Sequence, residues 1–203
     1  MKTLYFDCSS GISGNMTLGA LLEIVGDDNY LLEELKKLNV DGYKIEISNK
    51  VKNGITGKYV DVILNENEEE HTHEHNHICE HEAEMHNDVH EDMHHHHHHH
   101  SHRNLNDVNE IIDKSSIGQK SKDLAKRIFL RVAKAESKVH NKPLEEVHFH
   151  EVGAIDSIVD IVGTAILINK INPDRIISSI VNDGYGFIEC AHGTMAVPVP
   201  ATS

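Results

Sequence analysis

The chain has 203 residues, a formal charge of −14 with histidine neutral, and 38% hydrophobic residues. That length suits one medium domain or two small ones, and the acidic balance argues against nucleic-acid binding, which needs a basic face. No stretch approaches the ~18 apolar residues of a membrane span, so no membrane partner is expected.

Lys2 to Asp7 reads as a short buried strand and is too short for a signal peptide. It runs into the small-residue loop Cys8-Ser9-Ser10-Gly11-Ile12-Ser13-Gly14-Asn15. Met16, Leu18, Leu21, Leu22 and Ile24 then predict a helix capped by Asn15. A second short helix is predicted over Leu31 to Leu38. Tyr43, Ile45 and Ile47 alternate with polar residues, and Tyr59 to Leu64 do so more loosely. These are two strands joined around Gly54 and Gly57. Residues 65 to 103 are low in complexity, with 15 of the 19 histidines between His71 and His102. The segment is expected to be disordered without metal.

Helical patterning resumes at Leu105 to Ile112. A longer helix is predicted over Ser121 to Val139, ended by Pro143. Val147 to Gly153 reads as a short extended or turn segment. Ile155 to Ile168 reads as a buried helix that stops before Pro173, and Ile176 to Val181 as a strand. Gly184, Gly186 and Gly193 punctuate the tail, and Val197-Pro198-Val199-Pro200 is expected to be rigid and extended. The expected fold is α/β or α+β. Residues 1–64 and 104–203 would form a single core of short strands and helices, interrupted by the insertion 65–103. The ending Ala201-Thr202-Ser203 has no capped element and reads as part of a longer protein. The three cysteines, Cys8, Cys79 and Cys190, are odd in number and far apart. No disulfide framework is visible, which fits a reducing cytoplasm.

Four constellations carry chemistry. The run His94, His95, His96, His97, His98, His99 and His100 lies in the chain interior, which disfavours a terminal tag. Neutral imidazole suits nickel, zinc, cobalt and copper. Interleaved carboxylates are expected to favour protonated imidazole, and protons would then compete with metal. Catalysis needs positioned groups, and this stretch suits capture, storage or delivery instead. The alternative is a repeat expansion with incidental metal affinity.

The second constellation is the loop Ser10, Gly11, Ser13, Gly14 and Asn15, with Asp7 at the strand end. Backbone N–H groups at a helix start form an anion site. The loop has neither a Walker A ending nor a GxGxxG fingerprint, and a plain strand-to-helix turn is the alternative. The third is His148-x-His150-Glu151 followed by Asp156 and Asp160. His148 and His150 share one side of an extended segment, and Asp156 and Asp160 share one helix face. Such a set suits a divalent metal with open positions. Glu151 could instead cap the helix, and the aspartates could face solvent. That helix is otherwise apolar, however, and two unpaired carboxylates there would be costly. The fourth is Cys190 with His192, which adds His192 as a candidate metal ligand, though a core cysteine is the commoner case.

Taken together, three motifs resemble the LarC family of nickel insertion proteins. They are Asp7-Cys8-x-Ser10-Gly11-Ile12-Ser13-Gly14-x-Met16, the long run from Val147 to Gly163, and Gly184-x-Gly186 with His192-Gly193-x-x-x-Val197-Pro198-x-Pro200-Ala201-Thr202. A central His-rich segment is also typical of that family. The resemblance implies insertion of nickel(II) into pyridinium bis-thiocarboxylic acid mononucleotide, giving the nickel-pincer cofactor used by lactate racemase and related enzymes. It implies CTP with a divalent metal, bound by a C-terminal half absent from this chain and sometimes encoded as a separate reading frame. The family usually carries an acidic residue where Asn15 stands and an aromatic where Ser9 stands. An amide at position 15 can cap a helix and ligate through oxygen, but it cannot act as a base.

Forming a nickel–carbon bond requires loss of the ring proton between the thiocarboxylates. His148, His150, Glu151 and Asp156 are the candidate bases. His148, His150, Asp156, Asp160, His192 and the run His94 to His100 are the candidate metal ligands, and the loop at Ser10 to Gly14 would hold the substrate phosphate. Two other readings stand beside this one. The chain could be a nickel or zinc storage and delivery protein without chemistry of its own. It could also be a hydrolase using His148, His150 and Asp156 on zinc.

Overall fold

The structure is a computed structural model that describes residues 1–64, 103–149, 152–190, 193–200 and 202. The His-rich run and its expected disorder lie outside the described residues, as do His150, Glu151 and His192. Strand β1 (Thr3–Phe6) is followed by helices α1 (Gly14–Val25) and α2 (Asp28–Lys36). Strands β2 (Tyr43–Lys52) and β3 (Ile55–Leu64) form an antiparallel hairpin. After the insertion come α3 (Leu105–Lys114), α4 (Gln119–His140), a 3-10 turn (Leu144–Glu146) and α5 (Ile155–Ile171). Strands β4 (Arg175–Ser178), β5 (Gly186–Cys190) and β6 (Gly193–Val197) complete the order. Helices and short strands are mixed, as the sequence suggests.

Local chemistry explains the boundaries. Ser13, not Asn15, is the N-cap of α1, and its Oγ accepts the Met16 N–H. Helix α1 ends where Gly26 takes a left-handed conformation and returns its N–H to the Leu22 carbonyl at 2.7 Å. Asn53 and Gly54 both have positive φ, 53° and 79°, as a two-residue hairpin turn with right-handed strand twist requires. Gly57 is not in that turn but inside β3, opposite Lys50. Helix α4 stops at His140, before Pro143, because Asn141 adopts the left-handed conformation. The tail is not merely punctuated by glycine, for β5 and β6 pair into a second hairpin. The chain bends at Pro198 and turns at Pro200, where the Thr202 N–H donates to the Val199 carbonyl at 2.9 Å, so the Pro-rich stretch is not extended throughout.

Helix α5 is the centre of the molecule. Ile155, Ile158, Val159, Val162, Gly163, Ala165, Ile166 and Leu167 are buried, which is the pattern of a helix covered on most sides. It packs on α1, α2, α4 and β3. Gly163 lets α1 approach, since a methyl group there would lie 2.9 Å from the Leu18 side chain. The buried core runs without a break from Leu18, Leu22 and Val60, ahead of the insertion, to Phe129, Ile158 and Val162 behind it. Full burial of each such side chain contributes on the order of 1.5–3 kcal/mol. Phe129 and Phe149 meet as tilted rings with centroids 6.1 Å apart. Among the described residues, no helix is long and apolar enough to cross a membrane.

Strands β1 and β4 run parallel, with Thr3 opposite Arg175 and Phe6 opposite Ser178. This pairing joins the first strand to the segment that follows α5. The loop after β1 and the loop after β4 therefore leave the sheet side by side. The start of α1 and the middle of α5 lie against that loop pair, and the site is built there.

Candidate functional site

Loop 7–13 is held by its own short side chains and by the chain after β4. Asp7 is exposed and accepts the Ser9 N–H at 3.1 Å. The side-chain and backbone hydrogen bonds from Ser9 hold its carboxyl below the usual range. Cys8 is buried, and its N–H donates to Ser179 Oγ at 2.8 Å. The Cys8 carbonyl accepts from both Gly11 and Asn182 N–H at 3.0 Å. The Asn182 side chain donates to the Ser9 carbonyl at 3.1 Å. Gly11 closes the turn at φ 89°, a conformation that suits glycine.

The start of α1 is tied up by hydroxyls and one amide. Ser13 Oγ donates to Asn15 Oδ1 at 2.5 Å, and the same amide oxygen accepts the Met16 N–H at 2.9 Å. Thr17 Oγ1 donates to the Ser13 carbonyl at 2.7 Å. Asn15 thus reinforces the helix start. Ser10 and Ser13 are exposed.

Asp160, on α5, crosses to α1. Its side chain lies so close to Gly14 that a Cβ at residue 14 would overlap the carboxylate. Asp160 Oδ1 is buried and has no hydrogen-bond partner among the described residues. Burial, and then the nearby charge of Asp156, push its pKa up to about 6. At neutral pH it is still mostly an anion. Asp156 sits in the first turn of α5, half-buried, and its Oδ1 accepts the Ser157 N–H at 2.7 Å. A carboxylate is favoured at a helix N-terminus.

Asp160 faces a cavity of about 520 Å³ between loop 7–13, α1, α4 and α5. Phe6, Ile12, Ile128, Ile161, Ile168 and Val181 make most of its wall, and Cys8, Ser13, Thr17, Thr164 and Ser178 add small polar groups. Such a space, apolar with a few placed polar atoms, is what small-molecule sites look like. Local pattern reading found Asp160 and the loop. It missed Thr164, which reaches the site only through the packing of α1 and α4 on α5, and Ser178 and Asn182, whose part depends on pairing with Phe6 and Ser9 more than 160 residues away.

His148 is exposed and does not line this cavity, and its backbone forms an isolated bridge to Asn104. Arg103, placed at the end of the insertion by the sequence, is half-buried and anchors this region. Its carbonyl accepts the Phe149 N–H at 2.9 Å and its guanidinium donates to the Gly153 carbonyl at 2.8 Å. Among the described residues, no three histidine, cysteine or acidic side chains are grouped to hold a metal ion. The site thus brings together Asp160, Gly14 and the Ser13–Asn15 start of α1, with Asp156 close enough to act on Asp160 by its charge.

The chain was compared with known proteins on this footing. Residues 4–203 match the family described as Nickel insertion protein. The chain belongs to that family. It is 49% identical to the pyridinium-3,5-bisthiocarboxylic acid mononucleotide nickel insertion protein of Acetivibrio thermocellus, over 99% of this chain and 44% of the relative. The proteins of the same name from Clostridium kluyveri and Clostridium acetobutylicum are 48% and 54% identical over the whole chain, covering 46% and 49% of their own lengths. The chain therefore spans a little under half the length of these nickel insertion proteins. No solved structure matches it.

Proposed function

We propose that this chain acts in nickel insertion into pyridinium-3,5-bisthiocarboxylic acid mononucleotide, forming the nickel-pincer cofactor. The observation that carries the reading is identity of 48–54% across essentially the whole chain to proteins bearing that name. Nickel is here a substrate. The histidines from His71 to His102 collect it and hand it to a site that includes His148, His150 and Asp156, with His192 as a further ligand. Imidazole and carboxylate suit a divalent borderline metal. The Ser10–Gly14 loop holds the substrate phosphate next to the N-terminus of α1. In the insertion step the ring C–H bond between the two thiocarboxylates breaks. Its electron pair becomes the nickel–carbon bond and its proton passes to a base, for which His148, His150, Glu151 and Asp156 are the candidates. No electron is gained or lost overall. CTP and its divalent metal are assigned to the part of the relatives' length that residues 1–203 do not span, and none of the steps given to these residues uses them. Lactate racemase and similar enzymes are the acceptors of the product.

The test is to mix this chain, the remaining half, nickel, CTP and the mononucleotide, and to follow the nickel-bearing product by mass spectrometry. Product is expected, and it should fall at least tenfold when His148 and His150 are both replaced by alanine. Unchanged insertion by that double variant would remove those histidines from the mechanism. The 15 histidines between His71 and His102 favour a second reading, nickel storage and delivery. Under it the chain would load nickel but never be needed for product at saturating metal.

A further inference from the structure

The cavity beside Asp160 has a charge pattern that narrows its occupant. Its walls are mainly apolar, from Phe6, Ile128, Ile161 and Val181. Inside them stands a carboxylate with one buried oxygen that nothing in the described fold satisfies. A buried anion of this kind needs a cation or a donor. A free nickel ion is a poor fit, because it needs several ligands and no three are grouped among the described residues. A negative group inside the cavity would be repelled, and a neutral apolar group there would leave the carboxylate unpaired. An alkylammonium is strongly hydrated and would lose that water to a mostly apolar wall. A flat aromatic cation meets each demand, since its charge is spread, its faces are apolar, and its volume suits a cavity of about 520 Å³.

Resting on the proposed nickel-insertion reading, we infer that this cavity binds the pyridinium ring of the mononucleotide. The ring's positive charge faces Asp160, and its anionic substituents lie away from that carboxylate, toward the open side of the cavity. Gly14 serves this arrangement, because any side chain there would displace the Asp160 carboxylate. Thr164 lies in the wall on the same helix as Asp160, one turn further on.

The test is calorimetric titration of the whole chain with metal-free pyridinium-3,5-bisthiocarboxylic acid mononucleotide and with its dihydropyridine form, whose ring is neutral. Two variants are compared with the parent. Asp160→Asn keeps the shape and removes the charge, and Thr164→Phe fills the cavity. The pyridinium form is expected to bind at least tenfold more tightly than the neutral form to the parent. Asp160→Asn should erase most of that preference, and Thr164→Phe should weaken both forms at least tenfold. Circular dichroism melting checks that each variant is folded, and Asp160→Asn alone decides the matter if Thr164→Phe is not. Parental affinity and parental preference in Asp160→Asn would overturn the inference, as would no binding to the parent. Product formation in the reconstituted reaction is scored separately. If product forms while Asp160→Asn binds like the parent, the ring site is lost and the function stands. If product never forms but the charge preference depends on Asp160, the function falls and the ring site stands.

Discussion

Asp160 concentrates the tension of the site in one side chain. Its ordinary carboxyl pKa of 3.8 rises to about 6 in the fold, first by burial and then by the charge of Asp156. Between those two values the native state holds a proton that the unfolded chain releases. Stability therefore falls as pH rises through that interval and levels off above it. Discounted for the part of the carboxyl that solvent still screens, the loss is on the order of 1–2 kcal/mol. Asp160→Asn should recover about that much at pH 7 and nothing below pH ~4, read by urea unfolding at both pH values. Gly14→Ala should cost about 1–3 kcal/mol, as overpacking does. Combined with Asp160→Ala it should cost less than the sum of the two single changes. Additive costs would mean that residues 14 and 160 do not touch. The i, i+4 spacing of Asp156 and Asp160 was readable without a structure. That Ser13 and not Asn15 caps α1 was not readable, because both are good caps. Only the packing of Gly14 on Asp160 requires residue 14 to be already inside the helix.

At the scale of elements, α5 and the β2–β3 hairpin were legible because their signals are local. A nearly continuous apolar run marks a helix covered on most sides, and Asn53-Gly54 marks the turn. Gly54→Ala should destabilise by about 1 kcal/mol by strain alone, since its φ is 79° and no atom lies within 4 Å of a new Cβ. A thermal melt unchanged by this substitution would contradict the turn geometry. The β5–β6 hairpin was not legible. Its strands are five residues each, its glycines read as loop, and its ladder from Gly186–Val197 to Cys190–Gly193 is visible only once the pairing is known. Strand β1 was recognised, but its partner was not, because β4 lies beyond every helix of the chain.

At the scale of the molecule, residues on both sides of the His-rich segment contribute to one buried core. The segment itself joins the exposed end of β3 at Leu64 to Arg103, which is fixed to Gly153 and Phe149. Replacing residues 66–101 with a flexible Gly/Ser linker should leave the melting temperature within a few degrees, because loop-length costs grow slowly. Nickel insertion should then drop at limiting nickel and recover at saturating nickel. Failure to recover would give the segment a role beyond collection. The family and its motifs could be read from sequence. The cavity could not, because Phe6, Ile128, Ile161 and Val181 come from four separate stretches.

The parallel pairing of β1 with β4 sets an order of events during synthesis. Cys8 bonds to Ser179, and Ser9 to Asn182, across 171 and 173 residues. Until the ribosome has released the stretch after α5, the loop that starts the chain has no partner to shape it. The histidine-rich stretch emerges earlier, because it precedes α5 in the chain. Contacts this distant in sequence form late. The residues from His71 to His102 are therefore made before those that complete the cavity wall, Ser178 and Val181, exist.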